Sequence, residues 1–145
     1  MGEFSDIISF AAGPALEGRI RNTPLPWDIE FRPLFGYFCY TSEKDSVNSY
    51  RSFYLTLSAG YAFKPYNRLT ITPLAGAGYI IHSTEGDGNG TSGTYYDPLI
   101  SFRCSFDYSI TDTVSLAVIP GYVIFFETNN TGFYPSIDLG AVYRF

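Results

Sequence analysis

The chain has a single histidine, His82, which opens the short run His82-Ser83-Thr84-Glu85. A serine, a histidine and a carboxylate are the side chains of acyl transfer, in which the histidine takes the proton of the serine nucleophile. The serine here is adjacent to the histidine, so on a β-strand the two side chains would point to opposite faces. We therefore predict no catalytic residues and interpret His82 as an ordinary residue near the end of a strand.

Neither a disulfide nor a metal site is predicted. The two cysteines, Cys39 and Cys104, fall in segments predicted to be non-neighbouring strands, whereas a disulfide needs Cα atoms within about 7 Å. The chain has no further cysteine or histidine to complete a zinc site. The run Glu85–Gly90 is faintly like a calcium loop, but Tyr96 stands where an EF-hand needs its last glutamate. We predict free thiols, no metal and no cofactor.

The remaining candidate chemistry is electrostatic. Charged residues of both signs fall on strand faces that otherwise carry small side chains: Asp28, Glu30, Arg32, Arg103, Asp107, Asp138 and Arg144. In a narrow interior of low dielectric such charges must pair, because an unpaired buried charge is strongly unfavourable. Two interpretations stay open. The charges form either a salt-bridge gate or selectivity filter, or a plug that fills the interior, and we favour the plug.

Strands must position these charges, because the dominant pattern of the sequence is alternation. The segment Ile100–Ile110, ISFRCSFDYSI, alternates apolar and polar residues at every step, which is the period of a β-strand. The same alternation recurs in Phe53–Phe63 and Phe133–Phe145, and near Trp27. No apolar run reaches the roughly 18 residues of a transmembrane helix. The pattern predicts strands at about 26–40, 50–63, 67–82, 94–110, 113–127 and 131–145.

The small size of the polar-face residues indicates which face points outward. A sheet face exposed to water is normally rich in Lys and Glu, but the polar faces here carry mainly Ser, Thr, Gly and Ala. Aromatic residues make up 19% of the chain, more than a packed soluble core needs, and a lipid-facing surface would accommodate them. The pattern therefore predicts apolar side chains outside and small polar ones inside. A net charge of −5 disfavours nucleic-acid binding.

The connections between predicted strands alternate between short and long. Lys64–Asn67 and Thr111–Asp112 are tight, whereas Thr41–Ser49 and Ser83–Gly93 are long and polar. Short turns at one end and longer loops at the other are typical of a transmembrane β-barrel. The whole of residues 1–145 is interpreted as one such domain, with residues 1–4, MGEF, as a vector-derived start that follows removal of a leader.

The strand count depends on the first twenty residues. A barrel of this kind needs an even number of strands, so Phe4–Arg21 should supply two. The break could fall at Gly13-Pro14, which gives strands near Phe4–Ala12 and Ala15–Arg21. The alternative is one long strand across Phe4–Ile20, which leaves seven. We favour the division into two, and eight strands in total.

These features resemble the small outer-membrane β-barrels of Gram-negative bacteria, the broad group of the OmpA-type transmembrane domain, OmpX and OmpW-like proteins. The resemblance covers most of the chain and is most specific at its end, where alternate apolar residues lead to Tyr143-Arg144-Phe145. It implies an all-β, antiparallel, up-and-down transmembrane barrel in the bacterial outer membrane, surrounded by lipid and lipopolysaccharide. In that family the terminal aromatic is the signal read by the outer-membrane assembly machinery, a role that would fall to Tyr143 and Phe145.

Distance from the predicted turns orders the side chains by depth. Trp27, Tyr61, Phe63 and Tyr108 should lie at the interface near the short turns, where such barrels carry a girdle of aromatic residues. Four charges should lie near the same periplasmic end: Asp28, Glu30, Asp107 and Arg144. Three should lie deeper: Arg32, Arg103 and Asp138.

Four functions follow, in decreasing order of preference. The first is a non-enzymatic, monomeric barrel with a structural or surface-interaction role, and the second is a narrow channel for small or apolar solutes. The third is a lipid A-modifying enzyme, because a family of outer-membrane deacylases uses His and Ser two residues apart. In this chain the residue two positions after His82 is Thr84 in place of the serine. The fourth is a soluble ligand-binding barrel such as a lipocalin.

Overall fold

The structure, a computed structural model, describes residues 8–21, 29–42, 47–86, 93–127 and 130–143. All regular structure within these ranges is β-strand, which confirms the predicted all-β class, and none of it is a helix with the length and hydropathy of a membrane span. The strands are β1 (Ile8–Ala12), β2 (Ala15–Glu17), β3 (Ile20–Arg21), β4 (Ile29–Ser42), β5 (Val47–Tyr61), β6 (Phe63–Tyr66), β7 (Leu69–Gly86), β8 (Gly93–Ser109), β9 (Val114–Glu127) and β10 (Asn130–Tyr143).

The strands form one antiparallel sheet with up-and-down order, as predicted. The order across the sheet is β1–β4–β5–β7–β8–β9–β10, with β2 and β3 also beside β4 and the short β6 beside β7. The sheet curls into a half-barrel of seven to eight strands. The six long strands β4, β5, β7, β8, β9 and β10 correspond to the six predicted from alternation. Among the described residues β1 and β10 are not paired with each other, so each borders the sheet.

The first strands differ from the prediction. β1, β2 and β3 all pair with β4 in one continuous register, seen in Ala12 opposite Cys39, Ala15 opposite Gly36 and Ile20 opposite Phe31. Backbone hydrogen bonds bridge both gaps, from Tyr37 N to Pro14 O at 3.0 Å and from Gly18 N to Pro33 O at 2.9 Å. The described part of Phe4–Arg21 is therefore one interrupted strand, and its division into two crossings is wrong. Pro14 has no N–H for the ladder, so it interrupts the pairing without reversing the chain.

Apolar side chains cover the outer, convex face of the sheet. On β8, Phe102 is 53% exposed while its neighbour Arg103 is only 6% exposed, because successive residues of a strand point to opposite faces. The same inversion runs through β5, β9 and β10, where the most exposed large apolar side chains are Leu55, Leu57, Leu116, Tyr122, Phe133, Ile137, Leu139 and Tyr143. The concave face buries mainly Ser, Thr and charged residues. The predicted placement of apolar residues outside and polar residues inside is thus the arrangement observed.

The concave face also carries an apolar layer, which the expected small and polar interior did not include. Its buried members are Leu34, Tyr54, Ile80, Leu99, Val123 and Phe125. Two glycines make room for the rings, because a methyl group at Gly36 would overlap Tyr54 and one at Gly132 would overlap Phe125. Phe38 stacks on Tyr54 with ring centroids 4.7 Å apart. This apolar layer fills the middle of the concave face.

Candidate functional site

Arg32 is the centre of a buried network of charges. It lies on β4, is fully buried, and points into the concave face. Its guanidinium donates to Glu30 Oε2 at 3.1 Å, to Glu17 Oε1 at 3.2 Å and, more weakly, to Asp107 Oδ2 at 3.5 Å. Charge-assisted bonds of this kind are stronger than neutral ones. One cation thus holds three carboxylates together.

Arg103 and Arg19 extend the network. Arg103, on β8, donates from Nη1 to Glu17 Oε2 at 3.1 Å and from Nη2 to Ser58 Oγ at 3.1 Å. Arg19 donates from Nη1 to Asp107 Oδ2 at 2.8 Å and from Nε to Glu17 Oε1 at 3.2 Å. Each carboxylate oxygen of Glu17 therefore accepts from an arginine. We call the group Glu17, Arg19, Glu30, Arg32, Arg103 and Asp107 the charge network.

The charge network crosses the concave face of the sheet. Glu17 belongs to β2 at one border, whereas Arg103 and Asp107 belong to β8, with β4, β5 and β7 in between. Such contacts need a sheet curled enough to bring β2 opposite β8. The twist of strands and the alternation of small and large residues together allow that curvature. The charge network in turn ties the interrupted first strand to the centre of the sheet.

The structure brings together four of the charged residues singled out from the sequence: Glu30, Arg32, Arg103 and Asp107. Asp138 lies on β10 on the same concave face and lines a small cavity with Arg103, but no direct ion pair joins it to a described arginine. Asp28 and Arg144 lie outside the described residues. Of the network's members, sequence reasoning missed Glu17 and Arg19. Their spacing of two residues, the same as that of Glu30 and Arg32, was the signal available.

The aromatic residues assigned to the interface lie on the outer face where they are described. Tyr61, Phe63 and Tyr108 are exposed near the turn end of the sheet, the end formed by residues 62–68 and 110–113. Tyr143 is exposed at the end of β10. Trp27 and Phe145 lie outside the described residues.

His82 has a different environment from the one expected. Ser83 lies on the opposite face of β7, as predicted, but the register sets Ser52 directly opposite His82. Ser52 Oγ lies 2.7 Å from His82 Nδ1, and His82 Nε2 lies 3.7 Å from Asp97 Oδ2. These are the residue types of acyl transfer. Ser52 is 0% exposed, so its hydroxyl is buried beneath the concave face of the sheet.

The thiols and carboxylates of the described residues form no other reactive site. Cys104 is a free thiol on the outer face of β8. Cys39 lies on β4, and its side chain is not among those that the structure describes. Within the described ranges, no group of three His, Cys, Asp or Glu side chains is placed to hold a metal ion.

The charge network is built to hold strands together. Both oxygens of Glu17 and one of Asp107 accept charge-assisted bonds from arginines, and these bonds join β2 to β8. The charge network lies on the concave face toward the turn end, and the apolar layer lies further along the same face. The chain was also compared with protein-family models, with curated proteins and with solved structures, and none of the three comparisons finds a match.

Proposed function

We propose that the protein is an integral β-barrel of the bacterial outer membrane, with a non-enzymatic structural or surface-interaction role and a plugged interior. One observation carries the proposal, namely the inverted distribution of polarity over the two faces of the sheet. Leu57, in the middle of β5, is 59% exposed, whereas its neighbours Thr56 and Ser58 are buried. In water such a surface would be an aggregation hazard, but in lipid it is the outer surface that the bilayer requires.

The length of the strands supports this placement. A tilted strand crosses a bilayer in about 9–11 residues. On β7, Leu69 pairs with the exposed Tyr108 at the turn end, and the exposed aromatic residue of β7 itself is Tyr79. The segment 69–79 between these positions spans eleven residues. A segment of that length is long enough to cross the hydrocarbon core of a bilayer as a tilted strand.

The packing of the concave face favours a plug over a channel. The charge network and the apolar layer occupy successive levels, and both are made of buried side chains. The cavity between them has a volume of about 20 Å³, far too small for a hydrated ion or an organic solute. A narrow channel remains the second candidate, because a charge network of this kind could rearrange as a gate.

The border strand β10 supports the proposed route of assembly. It pairs only with β9 among the described residues and ends at Tyr143, which is exposed. We propose that the assembly machinery of the outer membrane recognises this last strand and its terminal aromatic residues.

A folding comparison tests the membrane placement. The protein is refolded in detergent micelles and, separately, in plain buffer, and each sample is followed by far-ultraviolet circular dichroism. Boiled and unboiled samples are then compared on a denaturing gel. We expect a β spectrum only in detergent, together with a heat-dependent change of mobility. A stable β protein in plain buffer would overturn the proposal and favour a soluble ligand-binding barrel.

Two further measurements separate the remaining candidates. Reconstitution in planar bilayers is expected to give no conductance above background, and discrete steps would favour the channel. Lipid A incubated with the refolded protein is expected to remain unmodified. Deacylation that is lost in His82→Ala would contradict the non-enzymatic role.

A further inference from the structure

A small cavity lies between the charge network and the apolar layer. Its walls are apolar on one side, including Leu34, Leu99 and Val123, and polar on the other. The polar wall consists of Thr56, Ser101, Arg103, Ser136 and Asp138. The volume of about 20 Å³ exceeds the roughly 10–15 Å³ that one water molecule needs. The cavity therefore has room for a single water.

Three polar atoms of that wall are buried without a hydrogen-bond partner among the described residues. They are Thr56 Oγ1, Ser101 Oγ and Arg103 Nε. The other two nitrogens of Arg103 are bonded to Glu17 and Ser58, so Nε is the nitrogen of this guanidinium that lacks a partner among the described residues. Buried polar groups that lack a partner are unfavourable and are rare in folded proteins. All three atoms belong to residues that line this one cavity, where a single polar ligand could partner them.

The charges around the cavity favour a neutral ligand over an ion. The charged residues that line the cavity are Arg103 and Asp138, one of each sign. An anion would be repelled by the carboxylate of Asp138. A cation would meet the Nε–H donor of Arg103, which repels it. Water accepts from Nε–H and can donate to hydroxyl and carboxylate oxygens, so it fits every group on the wall.

We propose that this cavity is a binding site for one ordered water, held by Thr56, Ser101 and Arg103. The water accepts a hydrogen bond from Arg103 Nε and bonds to the two hydroxyl groups. Because Asp138 lines the same cavity, the water also joins the border strand β10 to Arg103. A single water then completes the plug by linking β5, β8 and β10.

The chain offers a matched control for this site. Thr72 is fully buried and its Oγ1 also has no hydrogen-bond partner among the described residues. Thr72 does not line the cavity. Valine has nearly the shape of threonine, so Thr56→Val and Thr72→Val each remove one buried hydroxyl. Only the first of the two would also remove a partner of the proposed water.

The test combines stability with a count of long-lived waters. Both variants are unfolded in urea, in whichever medium, detergent or plain buffer, the wild type folds, so the result does not depend on the membrane placement. We expect Thr56→Val to lower the folding equilibrium constant about fivefold, as for one lost hydrogen bond, and Thr72→Val to leave it unchanged or raise it. Water relaxation dispersion is expected to count one fewer long-lived water in a Thr56→Val/Ser101→Ala double variant than in the wild type.

Two results would overturn the proposal. Equal stability of Thr56→Val and Thr72→Val would mean that the Thr56 hydroxyl has no partner to lose. An unchanged count of long-lived waters in the folded double variant would mean that the cavity is dry. Should the double variant fail to fold, the number of long-lived waters is compared between Ser101→Ala and the wild type. An unchanged number would again contradict the proposed water site.

Discussion

Replacement of Arg32 by methionine is the sharpest perturbation of the charge network. Arg32 is 0% exposed and contacts Glu30, Glu17 and Asp107 at 3.1, 3.2 and 3.5 Å. Methionine nearly preserves the volume but removes the charge, which leaves two arginines for three carboxylates. Removing one partner of a buried ion pair costs about 3–5 kcal/mol. We expect the free energy of unfolding to fall by about that amount.

The assay is equilibrium urea unfolding of refolded protein, with a double-mutant cycle. Glu30→Gln combined with Arg32→Met removes the excess negative charge, because the network then holds two cations and two carboxylates. The double variant should therefore be more stable than the sum of the single losses predicts, with a coupling of about 1–3 kcal/mol. Arg68→Met is the control, because Arg68 is exposed in a turn, and it should change stability by less than about 0.5 kcal/mol.

One result would refute the reasoning. If Arg32→Met and Arg68→Met both stay within about 0.5 kcal/mol of the wild type, the carboxylates around Arg32 are solvated in the folded protein. The interior would then be a water-filled lumen, and the plug would be wrong. Zero coupling with Glu30→Gln would in turn mean that the pair at 3.1 Å contributes nothing to stability.

Three other predictions test the lipid contact of the outer face, the packing of the apolar layer and the assembly role of the last residue. Phe102 pairs with Ala75, near the middle of the segment 69–79. Phe102→Arg should therefore lower the stability of vesicle-inserted protein by about 2–4 kcal/mol, as for an arginine at the bilayer midplane. Asn67→Arg, in an exposed turn, should have no effect, and equal urea midpoints for the two variants would contradict lipid contact. Gly36→Ala should lower the free energy of unfolding by about 1–3 kcal/mol, because the added methyl group would displace Tyr54. Gly140→Ala is the control and should be neutral, because nothing lies within 4 Å of the added methyl group. A neutral Gly36→Ala would contradict the packing of the apolar layer. Phe145→Ala should reduce the amount of heat-modifiable protein in outer-membrane fractions, and wild-type levels would remove the assembly role of the last residue.

The sequence alone predicted which side chains of each long strand point to the outer face and which to the concave face, because alternation is a local property. The order Phe102, Arg103, Cys104, Ser105, Phe106 already separates one face from the other, and a pleated strand cannot present it otherwise. The same reasoning identified Arg32 and Arg103 as interior charges. It also identified all six long strands, β4, β5, β7, β8, β9 and β10, and their antiparallel order. The division of Phe4–Arg21 was wrong because a proline can interrupt a strand as well as end it.

The partners of the interior residues were decided by the tertiary structure alone. Glu17 meets Arg103, and Ser52 meets His82, through the register between strands and the curl of the sheet. The members of each pair are far apart in the chain, and a shift of one residue in register would turn either side chain to the other face. The apolar layer likewise depends on Gly36 lying opposite Tyr54. A period of two determines which face a residue occupies, whereas the choice of its partner across the interior depends on curvature and register, which belong to the sheet as a whole.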